Sequence, residues 1–534
     1  MVDYEVIVIG AGLNGLYQLH LLREAGISVR LLEAGGGVGG TWYWNRYPGA
    51  RLDSESYTYG YYFSRELLDE WDWSEEFVTQ PELERYYNFV ADKFDLRRDI
   101  ELGTEVASAR WDEASDTWTL TTADGRRYIS RFVISATGML SAPQLPPYAG
   151  IETYRGEWHH TSRWPASEVD LRGKRVGVIG TGSTGIQVIQ SIAAEVDSLT
   201  VFQRTPNWAT PINNHALTPD ELLEIRETAM DVHAVTQATD TGFKHSSRPE
   251  SAFDVSDDER LAYFEQLWNE PGMTMYVKNF RDLMVNADAN RAVTDFLERK
   301  IRARVDDPEI AERLIPDHFY GMKRPPLENG YYEVYNRANV RLVSLSETPI
   351  VRFTETGIVT TESTFELDAV IFATGFDAVT GALSRIDIVG ADGMTLQHWW
   401  QDGPRTFMAT NVHHFPNFFI LGGPQGPGGN NPRSVEGQVD WVTRCIRYLH
   451  DVGIGRIEPT AAAEEEWIEH VNSTVAPTLS AQATAWAWGS NTPGKARAYQ
   501  LYAGGQVLLR RKMAESADAG YRGFVLGEAE ESVA

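Results

Sequence analysis

Cysteine is nearly absent: Cys445 is the single one in 534 residues. That count excludes an intrachain disulfide, a redox cysteine pair and a thiolate metal cluster, so any redox chemistry has to come from a bound cofactor. Positive charge is scarce as well. Forty-eight Lys and Arg stand against 75 Asp and Glu, a formal charge of −27 at pH 7. Phosphate backbones and anionic lipid surfaces repel such a chain, so neither a nucleic-acid nor a membrane partner is expected. No apolar run approaches the roughly 18 residues that span a bilayer. Asp3 and Glu5 stand where a signal peptide carries positive charge, so a cytoplasmic protein is expected. What is left is ordinary globular composition, 42% hydrophobic and 23% charged, enough to build a sizeable core.

The first 33 residues are the most informative. Tyr4 to Ile9 is a short apolar, β-rich run that reads as a buried parallel strand. Gly10, Gly12 and Gly15 follow in GxGxxG spacing, then a helical pattern to Gly26 and a second strand, Ser28 to Leu32, ending in Glu33. The three glycines serve different needs. Gly10 allows the tight turn, Gly12 lets backbone N–H groups approach a pyrophosphate, and Gly15 lets the helix pack closely on the strand. Glu33 lies 23 residues past Gly10, where a carboxylate can accept from ribose hydroxyls.

The unit recurs with a different ending. Lys174 to Ile179 leads into Gly180, Gly182 and Gly185, then a helix from Ile186, then a strand from Leu199 to Gln203 that ends in Arg204 and Thr205. An acid at this slot suits a free 2′-hydroxyl, whereas a guanidinium and a hydroxyl suit a 2′-phosphate. The first site is therefore expected to prefer FAD or NAD and the second NADP. Two such sites suggest a flavin reduced by NADPH rather than a simple dehydrogenase. The plainer reading of Arg204 is a solvated arginine at a strand end.

Two further apolar strands stop at one pattern, Phe132 to Ser135 at Ala136-Thr137-Gly138 and Ala369 to Phe372 at Ala373-Thr374-Gly375. They complete the two nucleotide domains, and the lateness of the second means that the chain crosses between domains more than once. The expected fold is α/β, with two Rossmann-like dinucleotide-binding domains, for FAD and NADP, and a helical insertion. Residues 1–140 with 380–534 form the discontinuous FAD-binding domain, 152–208 with 326–379 the NADP-binding domain, and 209–325 the helical insertion. A loop is expected over Gly422 to Gly429, a helix over Ser434 to Leu449, and a mobile loop over Thr484 to Lys495.

A specific resemblance then emerges. Gly40 to Asp53 (GTWYWNRYPGARLD) resembles the long signature that follows the flavin motif in Baeyer–Villiger monooxygenases. Tyr154-x-Gly156-x-x-x-His160-x-x-x-Trp164-Pro165 is similar to that family's fingerprint between the two nucleotide units, with Tyr154 where the family usually has Phe. The Trp-Pro ending separates the family from related flavin-containing and N-hydroxylating monooxygenases. The likeness covers nearly the whole chain.

The resemblance implies an FAD enzyme that uses NADPH and O2 to convert a ketone to an ester or lactone. In that family oxygen adds at flavin C4a, and the resulting peroxide attacks the carbonyl to give a tetrahedral adduct. Such chemistry needs a water-poor pocket with a fixed cation. The family's catalytic arginine follows a lysine in a Gly-x-Lys-Arg segment, which here makes Arg324 the stabilising cation. Asp53 is implied to pair with Arg324, and Lys323 to hold the 2′-phosphate with Arg204 and Thr205. Thr41, Trp42, Tyr43 and Trp44 are implied to line the flavin, with Asp53 and Tyr59 near the isoalloxazine and Val106 near the adenine, and Arg51 and Leu52 are implied to bind the cofactor as well. Thr181, Gly182, Ser183, Thr184, Gly185, Ile186 and Gln187 cradle the nicotinamide pyrophosphate, and Trp486 meets NADP and substrate. His160 and Trp164 shape the link between domains rather than the chemistry. A monomer is plausible.

Plainer readings stand beside these. Asp53 and Arg324 could be a buried ion pair, and Trp486 a surface aromatic. A flavin monooxygenase of sulfides or amines shares the architecture, and glycine motifs alone would also permit a non-catalytic NADPH sensor. The adjacent pairs His159–His160 and His413–His414 have no cysteine or carboxylate set at ligand spacing, so no metal site is expected. Cys445 reads as a packed small hydrophobe.

Overall fold

The computed structural model describes residues 2–528. Its larger sheet runs in the order 387–389, 106–112, 117–122, 127–135, 4–9, 29–32, 100–101, with Phe418–Ile420 added beside 127–135. Strand Tyr4–Ile9 sits between two parallel neighbours, Val6 opposite Val29 on one side and Phe132 on the other. Both its faces are buried, which is why it reads as a continuous apolar run. Val6 and Val8 pack against Leu16, Leu19 and Leu22 of helix Leu13–Glu24. Ile7 and Ile9 pack on the other face with Trp118, Leu120 and Val133. The strands 106–112 and 117–122 form an antiparallel ribbon inserted into this sheet.

The second sheet is wholly parallel, in the order 340–344, 198–203, 175–179, 369–372, 157–160. Its strands all lie between the two stretches that build the first sheet, so the chain leaves the first domain after Ser135 and returns before Asp387. An antiparallel three-stranded sheet, 350–354, 357–360 and 364–366, flanks it.

Residues 209–325 are mainly helical. Helix Pro219–Ala238 starts with a capping box: the Glu221 amide donates to Thr218 Oγ1 at 3.3 Å and the Thr218 amide donates to Glu221 Oε2 at 2.8 Å. Helix Ala287–Arg304 puts Val293, Phe296, Leu297 and Ile301 into the core of the second sheet, beside Val178, Ile186 and Val201. Helix Pro219–Ala238 leans the other way: Gln506 Nε2 donates to its Thr236 carbonyl at 2.7 Å. The helical segment thus touches both domains.

Several elements differ in detail from expectation. The helix expected over 434–449 runs from Asn431 to Val452, because Pro432 is accepted in its first turn and Gly453, at φ 69°, closes it. The first helix ends at Glu24. The 484–495 segment contains a short 3-10 turn, Trp486–Trp488, fastened by Trp488 Nε1 to the Ser480 carbonyl at 2.8 Å and by Lys495 to Asp377 at 2.7 Å.

Candidate active site

The two glycine motifs adopt one backbone solution. Gly10 has φ +105°, and a Cβ there would lie 2.7 Å from the Ala136 carbonyl oxygen; one on Gly15 would lie 1.8 Å from the Gly10 oxygen. Gly180 has φ +109°, with the Ala373 oxygen 2.4 Å from a virtual Cβ, and a Cβ on Gly185 would lie 2.1 Å from the Gly180 oxygen. The Ala-Thr-Gly strand ends are therefore the surfaces against which each glycine turn closes. No side chain fits at any of these four positions.

A cavity of about 760 Å³ opens from the first motif. Gly10, Gly12, Glu33 and Val106 line it at one end. Glu33 is buried and accepts from the Ala11 amide at 2.7 Å and the Gly35 amide at 2.6 Å. Burial raises its pKa, although both amides pull the other way. Thr41, Trp42 and Trp44, from the short helix Thr41–Trp44, form a wall with Arg51, Leu52 and Tyr59. Trp42 Nε1 donates to the Tyr59 hydroxyl at 3.2 Å, and burial pushes the Tyr59 pKa up to about 12. Tyr43 faces elsewhere: its hydroxyl accepts from the Gly36 amide at 3.0 Å, and Arg46 stacks on its ring at 4.3 Å. It supports the glycine loop behind the wall.

Asp53 and Arg324 meet in the lining of the same cavity. Arg324 Nε donates to Asp53 Oδ2 at 2.7 Å and Nη2 to Oδ1 at 2.8 Å, a bidentate pair joining residues 271 positions apart. Nη1 donates to the Gly429 carbonyl at 3.3 Å, and the Phe243 ring lies 5.8 Å from the guanidinium carbon. Burial opposes the Arg324 charge, but the Asp53 carboxylate more than offsets it and holds the pKa above its ordinary value. The exposed third of the side chain borders the cavity, so the charge acts within an enclosed space.

Ser183, Thr184 and Gln187 of the second motif reach the same cavity. Gln187 joins the two domains: its Nε2 donates to the Arg51 carbonyl at 3.3 Å and its Oε1 accepts from the Tyr47 hydroxyl at 2.8 Å. Gly182 caps the helix Ser183–Ile192, with nothing within 4 Å of a virtual Cβ, so backbone N–H groups are open to a phosphate there. Thr181 Oγ1 donates to the Thr205 carbonyl at 3.2 Å, and Ile186 is fully buried in the domain core. Arg204 and Thr205 are exposed. Lys323 is half-buried; burial lowers its pKa, Asp317 raises it, and the Arg204 charge lowers it further. Two cations thus face one another, neither within 4 Å of a carboxylate among the described residues, and a phosphate dianion would satisfy both.

Trp486 borders the cavity beside Trp488 and Tyr499. His160 lies at the link: its Nδ1 accepts from the Ser162 amide at 3.2 Å, and Nε2 lies 3.4 Å from Thr374 Oγ1. Sequence reasoning missed Phe243, Tyr276 and the Gly429 carbonyl. The glycine-rich loop 422–429 was a visible signal, but its carbonyl target was not. It also missed Glu458, which the fold brings beside His413 and His414.

A family model described as pyridine nucleotide-disulphide oxidoreductase matches residues 7–262. With one cysteine, the likeness lies in the nucleotide-binding fold and not in disulfide chemistry. The 2-oxo-Δ3-4,5,5-trimethylcyclopentenylacetyl-CoA monooxygenase of Pseudomonas putida is 44% identical over 98% of both chains. A crystal structure of OTEMO in complex with FAD and NADP superposes with a TM-score of 0.95 at 44% identity, covering 99% of this chain and 100% of that one. A Baeyer-Villiger monooxygenase of Pseudooceanicola batsensis is 39% identical over 99% of this chain and 98% of its own. The chain belongs to the flavin-dependent Baeyer–Villiger monooxygenases. As a Baeyer–Villiger monooxygenase it is an FAD-containing, NADPH-dependent enzyme acting on ketones, built on the α/β fold with two Rossmann-type sheets. Among the described residues no helix is long and apolar enough to cross a membrane.

Proposed function

We propose that residues 1–140 and 380–534 hold FAD, that residues 152–208 and 326–379 hold NADP(H), and that Arg324 and Asp53 carry the chemistry between them. The observation that carries this reading is the bidentate Arg324–Asp53 pair at the shared wall of one cavity. When bound, FAD would carry electrons from NADPH to O2, so that one oxygen atom of O2 is inserted beside the ketone carbonyl and the other leaves as water.

The chain's own residues do the rest. Gly10, Gly12 and Gly15 let the first helix N-terminus approach the FAD pyrophosphate, and Glu33 receives its ribose. Trp42, Trp44 and Tyr59 exclude water from the reacting face. Arg204, Thr205 and Lys323 read the 2′-phosphate of NADP. Asp53 grips the Nε edge of Arg324 and leaves the cation directed at the cavity, where it stabilises negative charge developing on the carbonyl oxygen. All of these groups come from one chain, so a monomer suffices, and the single buried thiol suits the cytoplasm.

The test is anaerobic reduction of the FAD-loaded protein by NADPH, admission of O2, and product analysis over a panel of ketones, sulfides and amines. Ester or lactone from a ketone is the expected product. Oxidation of sulfides or amines with no ester from any ketone overturns the reading.

A further inference from the structure

The pair His413–His414 takes no part in the nucleotide cavity, yet the fold completes it with a third donor. Glu458, in the strand Ile457–Pro459, brings a carboxylate to the two imidazoles, and one donor atom from each of the three residues lies within 4.8 Å of the others. We propose that His413, His414 and Glu458 form a binding site for a divalent transition-metal ion of the Zn²⁺ type. Two imidazole nitrogens and one carboxylate oxygen are a borderline ligand set that suits Zn²⁺, with water at the fourth position, rather than the all-oxygen shell that Mg²⁺ and Ca²⁺ take.

The surroundings prepare these donors. His413 Nδ1 lies 3.0 Å from the Pro459 carbonyl, which can only accept. Glu458 Oε1 also lies 3.2 Å from this Nδ1, so in neutral His413 the Nδ1 proton faces two acceptors and Nε2 is the nitrogen whose lone pair is left for a metal. The His414 ring nitrogens have no hydrogen-bond partner among the described residues, so a lone pair is available there. The two rings stand 4.2 Å apart, and Trp399 packs edge-on against both, at 5.8 and 4.7 Å. The Glu458 carboxylate is held by the His414 amide at 2.9 Å and by Arg456 at 3.1 Å. Tetrahedral ligation asks donors to stand roughly 3.4 Å apart, so side-chain rotation on a fixed backbone closes the set.

The local charge also favours a cation. Arg456 is shared by Glu113, Asp116 and Glu458, and Arg405 by Glu464 and Glu465. Glu464 accepts from the His413 amide at 2.9 Å, directly beneath the pair. Two guanidinium groups therefore face five carboxylates, and a dication reduces the surplus. If Glu458 turns toward a metal, Arg456 keeps Glu113 and Asp116. Bound metal would tie the 413–414 turn to the strand 457–459 and, through its antiparallel pairing, to Phe524–Leu526.

The experiment uses the FAD-loaded full chain, stripped with EDTA and dialysed against Zn²⁺ alone. One Zn²⁺ per chain is expected at ~10 µM or below, with a rise in melting temperature, and Cu²⁺ substituted at the site shows nitrogen coupling by electron paramagnetic resonance. His414→Asn, chosen because Asn tolerates the φ of +71° at this position, is expected to weaken binding about tenfold or more, as is Glu458→Gln. His159→Gln, at the other adjacent pair, is expected to leave it unchanged. Absence of stoichiometric binding overturns the proposal, as does binding that survives His414→Asn and Glu458→Gln or is lost in His159→Gln.

Discussion

At the scale of single residues, Arg324 is fixed on three sides: two bonds to Asp53 and one to the Gly429 carbonyl. Arg324→Ala is expected to retain FAD and to lower ester formation by about 10³-fold or more, the magnitude associated with losing a preorganised charge in a dry site. Product yield per NADPH consumed checks this; ester formation near the native rate would remove Arg324 from the chemistry. His160 carries a second prediction. Burial first, and the Arg163 charge in addition, push its pKa down to about 4 from an ordinary 6.5. The unfolded chain therefore takes up a proton on His160 below pH 6.5 while the folded chain does not. Stability falls as pH drops from about 6.5 to about 4, by at most about 3 kcal/mol, and this group contributes no slope above that window. In His160→Asn the loss in urea midpoint between pH 7 and pH 5 is expected to shrink. These positions divide by legibility. Asp53 and Arg324 were named because the segments that carry them, Gly40 to Asp53 and Gly321 to Arg324, resemble signatures of the family. Phe243 and Gly429 were not, because what each contributes is a ring face or a carbonyl, and neither leaves a mark in residue type.

At the scale of elements, the strand–glycine turn–helix–strand unit was readable twice, because a buried parallel strand and three obligatory glycines leave few alternatives. The Ala-Thr-Gly strand ends were recognised as related, and the physical reason is now evident: Ala136 and Ala373 supply the carbonyls against which Gly10 and Gly180 turn. Helix bounds were less legible. Pro432 stands inside the helix Asn431–Val452, where a reading that starts after the proline loses three residues. The strand ends carry the prediction that belongs to this scale. Glu33 and Arg204 occupy equivalent slots with opposite charge, and Lys323 adds a second cation beside Arg204. Arg204→Ala is expected to raise the KM for NADPH about tenfold or more, the weight of a charge-assisted bidentate contact, while the KM for NADH changes little. Steady-state kinetics with both nucleotides decide it; parallel changes would show that the 2′-phosphate is bound elsewhere.

At the scale of the molecule, reduction requires the two nucleotide domains to hold FAD and NADPH in register, and the structure shows where their backbones touch. Gly49, at φ +81°, lies against the helix Ser183–Ile192: a Cβ there would fall 2.1 Å from Ser191 Oγ and 2.5 Å from the Gln187 carbonyl. Beside it, Tyr47 and the Arg51 carbonyl are bonded to the Gln187 side chain. The segment 47–53 therefore fixes the second domain at one end and Asp53 at the other. A side chain at position 49 has no room and must push the second domain off, while Gly10, Gly12 and Glu33, the cavity wall proposed to hold FAD, lie outside this contact. Gly49→Val is thus expected to keep FAD at full occupancy and to be reduced by dithionite like the native protein. Its reduction by NADPH, followed at the flavin absorption band in stopped flow, is expected to slow by about 10²-fold, because misplacing the donor by an ångström costs that much. Native rates with NADPH would mean that this contact does not set the distance between the two nucleotides.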